Sequence, residues 1–274
     1  MKKDKQSLLL RDKTHFLSVV LPAYKQEKTI IKDIRRIQEV LEQLRYDYEI
    51  VVVVDGFTDR TFKKAKELKS AKIKIVGYKT NRGKGYAVRY GMARAKGNLV
   101  AFIDAGMDIN PQGIPLLLEH MLWYNSDVIV GSIRHSASKV IGYPLKRKIY
   151  SWGYHFLTKH LFGLHITDSQ RGLKIFKREV LEKVLPRLLV KQFAFDIEIL
   201  AVARRLGFKK IHDGPVEMDA RKMKYSSVRA NTVWSMLLDT LAVFYRLRIL
   251  RYYDNQNKRQ WRYDPELNFK VNVG

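Results

Sequence analysis

The fold of this chain is decided by an apolar stretch, EIVVVV at residues 49–54, that ends directly in Asp55 and Gly56. An unbroken apolar run of this kind predicts a strand buried on both faces, as in a parallel sheet covered by helices. Three similar strands are predicted at FLSVVL (16–21), KIKIVGY (72–78) and NLVAFI (98–103). A helix is expected between the first two, because apolar residues from Thr29 to Leu44 recur at intervals of three and four. The first half of the chain therefore predicts an alternating α/β domain.

Polar side chains follow these strands at the points where the strands end. Tyr24 comes after the first strand, Asp55 and Asp59 after the second, and Asp104 and Asp108 after the fourth. Ligands of open α/β sheets bind outside the carboxyl ends of the strands, so we expect a binding site at this edge. Carboxylates there can hold Mg²⁺ or Mn²⁺ while a substrate diphosphate completes the coordination. Asp104 alone is better explained as a turn residue, whereas its combination with Asp55 favours ligand contact and leaves Asp59 as a helix cap.

A glycine-rich segment, NRGKG at 81–85, precedes the helix that is predicted after the third strand. Its two glycines would let the backbone and the amide groups of a helix N-terminus approach a phosphate. A solvated basic turn explains the same residues equally well, since neither G-x-x-x-x-G-K-[ST] nor G-x-G-x-x-G is present. This segment alone therefore leaves the phosphate site open.

The composition is that of a folded and strongly basic protein. Of the 274 residues, 46% are hydrophobic and 29% are charged, and 52 Lys and Arg against 27 Asp and Glu give a net charge of +25. Such a charge favours polyanionic partners, namely nucleic acid, an anionic membrane or phosphorylated substrates. The lack of cysteine excludes disulfides and thiol nucleophiles. We expect neither a membrane-spanning helix nor a secretory signal, because no apolar run reaches about 18 residues and Leu8–Leu10 form too short an apolar core.

The second half of the chain is less regular. Helices are predicted at 113–124, 144–162 and 194–206, and strands at 127–131 and 172–176. The last predicted helix, at about 228–250, is apolar and then turns basic at Arg246, Arg248 and Arg251. It would either lie in a membrane interface with its arginines at anionic headgroups or pack on the core as an ordinary amphipathic helix. We divide the chain into a flexible basic arm (1–15), a main domain (16–220) and a C-terminal amphipathic helix with a basic tail (221–274).

The motifs taken together resemble those of a family 2 glycosyltransferase, most closely of the dolichyl-phosphate beta-glucosyltransferase or polyprenyl-phosphate hexose synthase type. The resemblance runs from about Leu17 to Arg251. It rests on SVVLPAY (18–24), VVVDGFTDRT (52–61), NRGKGYAVRYGM (81–92), FIDAGMD (102–108), GSIRH (131–135), TDSQRGLKIFKREV (167–180) and FAFDIEIL (193–200). Several motifs in the same order are far more specific than any one of them.

This resemblance implies a GT-A fold, which is a mostly parallel, Rossmann-like sheet with helices on both faces. It also implies inverting transfer of a hexose from a nucleoside-diphosphate sugar, with UDP-glucose favoured, to a polyprenyl or dolichyl phosphate with Mg²⁺ or Mn²⁺ as cofactor. Matching positions would bind nucleotide at Pro22, Tyr24, Asp55, Lys84 and Asp104, metal at Asp104 and Asp108, and the acceptor phosphate at Arg134 and Arg147, with Asp168 and Gln170 as catalytic residues. The enzyme would be cytoplasmic and peripheral, bound to a membrane surface through its C-terminal helix, with no nucleic acid as partner.

The acidic motifs of the chain depart from the family pattern. The usual Asp-x-Asp is Asp104-Ala105-Gly106, the paired aspartates after the second strand are Val54-Asp55, and the usual Asn-Glu is Lys25-Gln26. One metal-facing carboxylate is therefore missing, and Asp108 is the candidate to replace it.

Other readings of the sequence remain open at this point. The same fold could use GDP-mannose or a non-lipid acceptor, the altered acidic motifs would suit a non-catalytic relative, and the net charge would suit a nucleic-acid-binding protein. Binding to nucleic acid would weaken steeply with salt through counterion release.

A phosphate acceptor is already ionised and nucleophilic at neutral pH, so we expect Asp168 to orient it rather than to take its proton.

Overall fold

The computed structural model describes residues 12–222, 230–254 and 260–273. The elements of the first half are β1 (Asp12–Ala23), α1 (Ile30–Glu42), β2 (Tyr46–Asp55), α2 (Thr61–Ala65), β3 (Ile73–Tyr78), α3 (Lys84–Met92), β4 (Leu99–Ile103) and α4 (Gly113–Trp123). Those of the second half are β5 (Val128–Ser132), β6 (Lys139–Ile141), α5 (Leu145–Phe162), β7 (Leu173–Lys177), α6 (Arg178–Val184), α7 (Phe195–Arg205), β8 (Ile211–Pro215), β9 (Glu217–Asp219), α8 (Ala230–Arg248), β10 (Gln260–Asp264) and β11 (Phe269–Val273).

The main sheet has the strand order β3-β2-β1-β4-β7-β5-β8. The neighbours β1, β2, β3 and β4 pair in parallel, as do β5 and β8, whereas β7 runs antiparallel to both β4 and β5. The predicted mostly parallel sheet is therefore confirmed. The antiparallel β7 has a consequence for the site, because its first residue Leu173 pairs with Ile103, the last residue of β4. The loop before β7 thus lies at the same edge as the carboxyl ends of the parallel strands.

Alternate residues of the central strands face two separate apolar layers. Val20, Val51 and Val53 pack on one side with apolar residues of α3 and α7. Val19, Ile50 and Val52 pack on the other side with apolar residues of α1 and α4. Burial on both faces explains why these strands are unbroken apolar runs, and it confirms the predicted helices on both faces of the sheet.

The first strand is longer than its apolar run. It begins at Asp12, inside the segment 1–15 expected to be an arm, and residues 1–11 of that segment lie outside the described residues. It also continues through Pro22 to Ala23, two residues beyond the predicted strand 16–21. Pairing with β4 stops at Val20, and Pro22 pairs only with β2. A proline is tolerated there because one side of the strand makes no further ladder hydrogen bonds.

The C-terminal region adds a helix and a hairpin to this domain. The predicted last helix is present as α8, described from Ala230 to Arg248, and it contacts α5 through Tyr154 and Thr240, whose hydroxyl oxygens are 2.8 Å apart. The expected basic tail contains an antiparallel hairpin, β10 with β11, whose Phe269 lies against Arg89 of α3. In the described parts of the chain, no helix is both long and apolar enough to cross a bilayer.

Candidate active site

The carboxylate of Asp55 organises the loop that leads into α3. It is buried at the end of β2, and its Oδ1 accepts a hydrogen bond from the backbone N–H of Arg82 at 2.7 Å. Its Oδ2 accepts from the backbone N–H of Gly83 at 3.0 Å and from the side-chain amide of Asn81 at 2.9 Å. Asp55 therefore holds residues 81–83, which we call the 81–83 loop, in place at the edge of the sheet. Both carboxylate oxygens of Asp55 accept hydrogen bonds from this loop, so the observed contacts of Asp55 position the loop.

The next residue, Lys84, is the centre of a buried chain of charges. Its Nζ lies 2.9 Å from Oδ2 of Asp104 and 3.0 Å from Oδ2 of Asp196. The other oxygen of Asp196 accepts from Nζ of Lys174, which also donates to the backbone oxygen of Arg171 at 2.6 Å. The order Asp104–Lys84–Asp196–Lys174 alternates negative and positive charge, as a buried ionic network must to offset desolvation.

The two lysines of this network differ in how easily they lose a proton. Burial lowers the pKa of Lys84, but the carboxylates of Asp104 and Asp196 outweigh it, and the net pKa is raised. Burial lowers the pKa of Lys174, and Asp196 only partly restores it while the charge of Lys84 lowers it further. Lys84 is therefore a permanent cation beside Asp104, suited to an anionic ligand such as a diphosphate.

Asp104 sits in a space that only a glycine leaves free. A side chain at Gly172 would collide with the carboxylate of Asp104, since a Cβ there would lie 1.9 Å from Oδ2. The backbone N–H of Asp104 also donates to the carbonyl oxygen of Gly172 at 2.9 Å. The loop 167–172 before β7 is thus in contact with the end of β4. Asp55, Asp104 and Asp168 consequently lie along one edge of the sheet, as the sequence predicts.

The loop after Asp104 provides the second predicted metal ligand. Burial raises the pKa of Asp108, and repulsion from the nearby charge of Asp104 raises it further. A divalent cation between them would relieve this repulsion. At Gly106, φ is +98° and a Cβ would meet nothing within 4 Å, so the position of the missing carboxylate is open space with a backbone that disfavours other residues.

The donor set for a metal is therefore small. Within 12–222, 230–254 and 260–273, no three His, Cys, Asp or Glu side chains are grouped closely enough to hold an ion by themselves. A cation held by Asp104 and Asp108 would take its remaining ligands from a diphosphate and water, which is the usual arrangement for Mg²⁺.

The two predicted catalytic residues lie in the 167–172 loop, where Asp168 is buried. Its Oδ2 accepts from Nε of Arg171 at 2.7 Å and its Oδ1 from the backbone N–H of Gln170 at 3.1 Å. Burial lowers the pKa of Arg171, but Asp168 and Tyr143 more than compensate, and the net pKa is raised. The side chain of Gln170 reaches the hydroxyl of Tyr154 on α5 at 3.5 Å. This loop is therefore tied to α5.

Of the two predicted phosphate-binding arginines, Arg147 lies in α5 and Arg134 contacts this helix from the segment after β5. Nη2 of Arg134 donates to the hydroxyl of Ser151 at 3.0 Å. Ser151 lies one helical turn after Arg147, and His155 lies one turn after Ser151, so these residues share a face of α5. Burial lowers the pKa of His155, and the charge of Arg134 lowers it further. Arg134 thus contacts the face of α5 that carries Arg147.

The remaining predicted contacts belong to the end of β1. Pro22 is buried, whereas Tyr24 follows β1 with 42% of its surface exposed, beside Nζ of Lys25 at 5.3 Å from its ring centre. Asp59 accepts from the backbone N–H of Thr61 at 2.9 Å and so bonds the first residue of α2, but the N-cap position that was predicted for it is occupied by Arg60.

Three charged residues of the site are absent from the sequence-based predictions, namely Arg171, Lys174 and Asp196. Each stands inside or next to an apolar segment: Lys174 follows Leu173 in LKIF (173–176), and Asp196 interrupts FAFDIEIL (193–200). A charge within a buried run must be paired, and this signal could have pointed to Lys174 and Asp196. The sequence does not show which partners they take.

Comparison with known proteins identifies the family. Residues 18–185 match the family described as Glycosyl transferase family 2. The dolichyl-phosphate beta-glucosyltransferase ALG5D of Trichomonas vaginalis is 32% identical over 250 residues, which is 85% of this chain and 75% of that protein. The human dolichyl-phosphate beta-glucosyltransferase is 31% identical over 252 residues, which is 86% of this chain and 76% of that protein.

Solved structures share the fold at lower identity. The glucosyl-3-phosphoglycerate synthase of Mycobacterium tuberculosis, crystallised with Mn²⁺, uridine-diphosphate-glucose and phosphoglyceric acid, superimposes with a TM-score of 0.63 at 18% identity. The match covers 95% of this chain and 87% of that one, and it confirms the predicted GT-A fold. The sequence profile and the relatives together establish that this chain belongs to glycosyltransferase family 2 and is a glycosyltransferase.

Proposed function

We propose that this glycosyltransferase moves glucose from UDP-glucose to a dolichyl or polyprenyl phosphate, with inversion at the anomeric carbon and with Mg²⁺ or Mn²⁺ as cofactor. The observation that carries the proposal is a set of contacts at one edge of the sheet. The Lys84–Asp104 pair lies against Gly172 of the 167–172 loop, and Gln170 of this loop contacts Tyr154 of α5. The names of the relatives, dolichyl-phosphate beta-glucosyltransferases, support the same sugar and acceptor.

The donor half of the reaction needs charge to be neutralised on the leaving nucleoside diphosphate. Lys84 supplies a positive charge, and Pro22, Tyr24 and Asp55 would border the bound nucleotide. A metal ion would be held by Asp104 and Asp108 and would stabilise the diphosphate as it leaves. Lys84 would then share Asp104 with the metal, so both cations act on the same phosphates.

The acceptor half needs positioning more than it needs a strong base. A phosphate monoester is largely ionised at neutral pH and is already nucleophilic. Arg134 and Arg147 would bind its oxygens, because guanidinium groups bind phosphate in a fixed geometry. Both oxygens of Asp168 accept hydrogen bonds from Gln170 and Arg171, which suits orienting the acceptor rather than removing a proton.

The lipid part of the acceptor suits the outer faces of α5 and α8. On α5 the exposed apolar residues recur at intervals of four, three and four and so share one face, namely Leu145, Ile149, Trp152 and Phe156. On α8 the same spacing gives Trp234, Leu238, Leu241 and Tyr245. We call these two rows the apolar rows. They would rest on the cytoplasmic face of a membrane and keep the enzyme peripheral, with basic residues such as Arg248 at anionic headgroups.

A donor and acceptor screen tests the proposal directly. The purified chain is incubated with radiolabelled UDP-glucose or GDP-mannose, Mn²⁺ or Mg²⁺, and either short dolichyl phosphate or 3-phosphoglycerate. We expect label in the lipid only with UDP-glucose, loss of transfer with EDTA, and a β-linked product. Glu119→Gln, a surface variant on α4, serves as the matched control for Asp104→Asn. Transfer to phosphoglycerate alone, or mannose as the only sugar transferred, would contradict the proposal, as would salt-sensitive binding to DNA with no transfer.

A further inference from the structure

The C-terminal hairpin reaches back to the glycine-rich loop of the donor site. Glu266 lies in the turn between β10 and β11. Both oxygens of its carboxylate accept hydrogen bonds from the guanidinium of Arg82, with Nη2 at 3.0 Å from Oε1. The hydroxyl of Tyr86 donates to the same carboxylate at 2.8 Å, and the guanidinium of Arg94 donates to the backbone oxygen of Glu266. One carboxylate from the end of the chain thus contacts the loop and the first turn of α3.

Arg82 connects this contact to the interior of the site. Its backbone N–H donates to Asp55, while its side chain pairs with Glu266 and lies over the rings of Tyr78 and Tyr86 at 5.5 and 4.8 Å. The 81–83 loop is therefore held from inside by Asp55 and from outside by Glu266. Lys84, two residues after Arg82, pairs with Asp104, so a shift of this loop would move the cation of the donor site.

The turn that carries Glu266 is itself rigidly built. The Oδ1 of Asp264 accepts from the backbone N–H groups of Glu266 at 2.9 Å and Leu267 at 3.0 Å. Leu267 is buried, and the hydroxyl of Tyr263 donates to Asn268 at 2.6 Å. The carboxylate thus comes from a fixed support rather than from a loose tail. The pKa of Glu266 is lowered by its bonds to Arg82 and Tyr86, so it is ionised at neutral pH.

We infer that Glu266 is a positioning residue for the donor nucleotide, and that the hairpin β10–β11 is a working part of the donor site. The inference rests on the proposed function only in that the ligand of this edge is taken to be a nucleoside diphosphate. Glu266 acts through Arg82 and the 81–83 loop and has no contact with Asp104. Loss of its charge should loosen the loop and weaken nucleotide binding while leaving the transfer step itself intact.

The test compares Glu266→Gln with Asp254→Asn. Asp254 is a matched control because it forms a bidentate pair with Arg205 in the same C-terminal region, with both distances at 2.6 Å, yet contacts nothing in the loop. Amide hydrogen exchange is measured first, without nucleotide. We expect the amides of Arg82 and Gly83 to exchange about threefold to tenfold faster in Glu266→Gln and at the wild-type rate in Asp254→Asn.

The second measurement is the affinity for UDP with Mn²⁺, together with KM and kcat for UDP-glucose. We expect the dissociation constant and KM to rise about threefold to tenfold in Glu266→Gln with kcat within twofold of wild type. Equal exchange in both variants would overturn the inference even if the wild-type chain transferred glucose. Faster exchange with unchanged UDP affinity would overturn it as well, and a wild-type chain that binds no UDP would overturn the proposed function together with the nucleotide part of the inference.

Discussion

The donor and acceptor halves of the proposed catalytic edge are built in opposite ways. In the donor half, charged side chains are buried and joined to one another, with Asp196 at 1% exposure between two lysines. In the acceptor half, large apolar side chains of α5 point into solvent, with Trp152 at 64% exposure and Leu145 at 72%. Each half inverts the usual rule that apolar groups are inside and charges outside.

This difference indicates whether the side chains of each half contribute to the stability of the fold or to binding. A buried charge network is strongly coupled, so removal of one member leaves another charge without a partner. An exposed apolar row contributes little to folding but can bind an apolar surface. Substitutions in the donor half should therefore change stability and chemistry together, whereas substitutions in the apolar rows should change binding to membranes and leave the fold intact.

The largest expected effect follows from breaking the buried network at Asp196. Asp196→Asn leaves the fully buried Lys174 without a carboxylate, and we expect the free energy of unfolding to fall by about 3–5 kcal/mol. Urea unfolding measures this change. The partly exposed pair of Asp254 with Arg205 provides the control. Asp254→Asn should lower the free energy of unfolding by less than about 1 kcal/mol. A loss at Asp196 no larger than that of the control would refute the comparison of the two halves.

The next effect concerns the loop that joins the halves. Asp168→Asn should lower kcat by about tenfold to a hundredfold, because positioning of the acceptor is lost while the nucleotide contacts remain. The affinity for UDP should stay within twofold of wild type. Single-turnover transfer and calorimetry separate the two quantities. Weakened UDP binding with unchanged single-turnover transfer would assign Asp168 to the donor half instead.

A smaller effect is expected when the apolar row of α5 is made polar. The double variant Ile149→Ser and Trp152→Ser should bind anionic phospholipid vesicles about tenfold more weakly, since two exposed apolar groups no longer enter the interface. Its free energy of unfolding should change by less than about 0.5 kcal/mol. Trp123→Ser is the control, because Trp123 is even more exposed but lies on α4, outside the apolar rows. Equal loss of vesicle binding in the control would show that the rows have no special part.

The smallest effect is a pair of opposite pH dependences. Burial raises the pKa of Glu198 despite the bonds that it accepts from Leu189, Val190 and Tyr253. The folded chain then keeps this proton longer than the unfolded chain, so stability falls as pH rises from about 4.3 through the raised pKa. The pKa of Glu266 is lowered by Arg82 and Tyr86, so its contribution is present above about 4.3 and is lost as pH falls through the lowered pKa.

Urea unfolding between pH 4 and pH 7 checks both signs against the matching Gln variants. The stability advantage of the wild-type chain over Glu198→Gln should shrink as pH rises. Its advantage over Glu266→Gln should shrink as pH falls. If both stability differences changed in the same direction with pH, the pKa values of Glu198 and Glu266 would not be shifted in opposite directions.

Much of the first half of the fold was predictable because its periodicity is strong. The unbroken runs at β2 and β4 could only be buried strands, and the spacing of Ile30, Ile34 and Ile37 describes one face of α1. The direction of β7 was not predictable, because LKIFK has the same pattern in a parallel and an antiparallel strand. The hairpin β10–β11 was missed, although FKVNV (269–273) alternates apolar and polar residues as a strand does.

The site was predictable where the chain order alone gives it. Asp55 ends β2 and Asp104 follows β4, and both strands run parallel to β1 between them, so the sheet brings the two residues to one edge. Glu266 was not predictable, because its partner Arg82 lies 184 residues away and nothing in either segment indicates the pairing. The hydrogen bonds of Asp55 to the 81–83 loop were not predictable either, because the sequence does not show that the loop amides turn back to its carboxylate.

The sequence by itself determined the kind of fold, the edge that carries the chemistry and the family, because apolar periodicity and the order of motifs are local properties of a chain. Tertiary structure decided which charges neutralise one another, which apolar rows stay uncovered and how the C-terminal hairpin meets the donor loop. These are contacts between distant segments, and their energies depend on distance, burial and local dielectric, which exist only once the chain has folded.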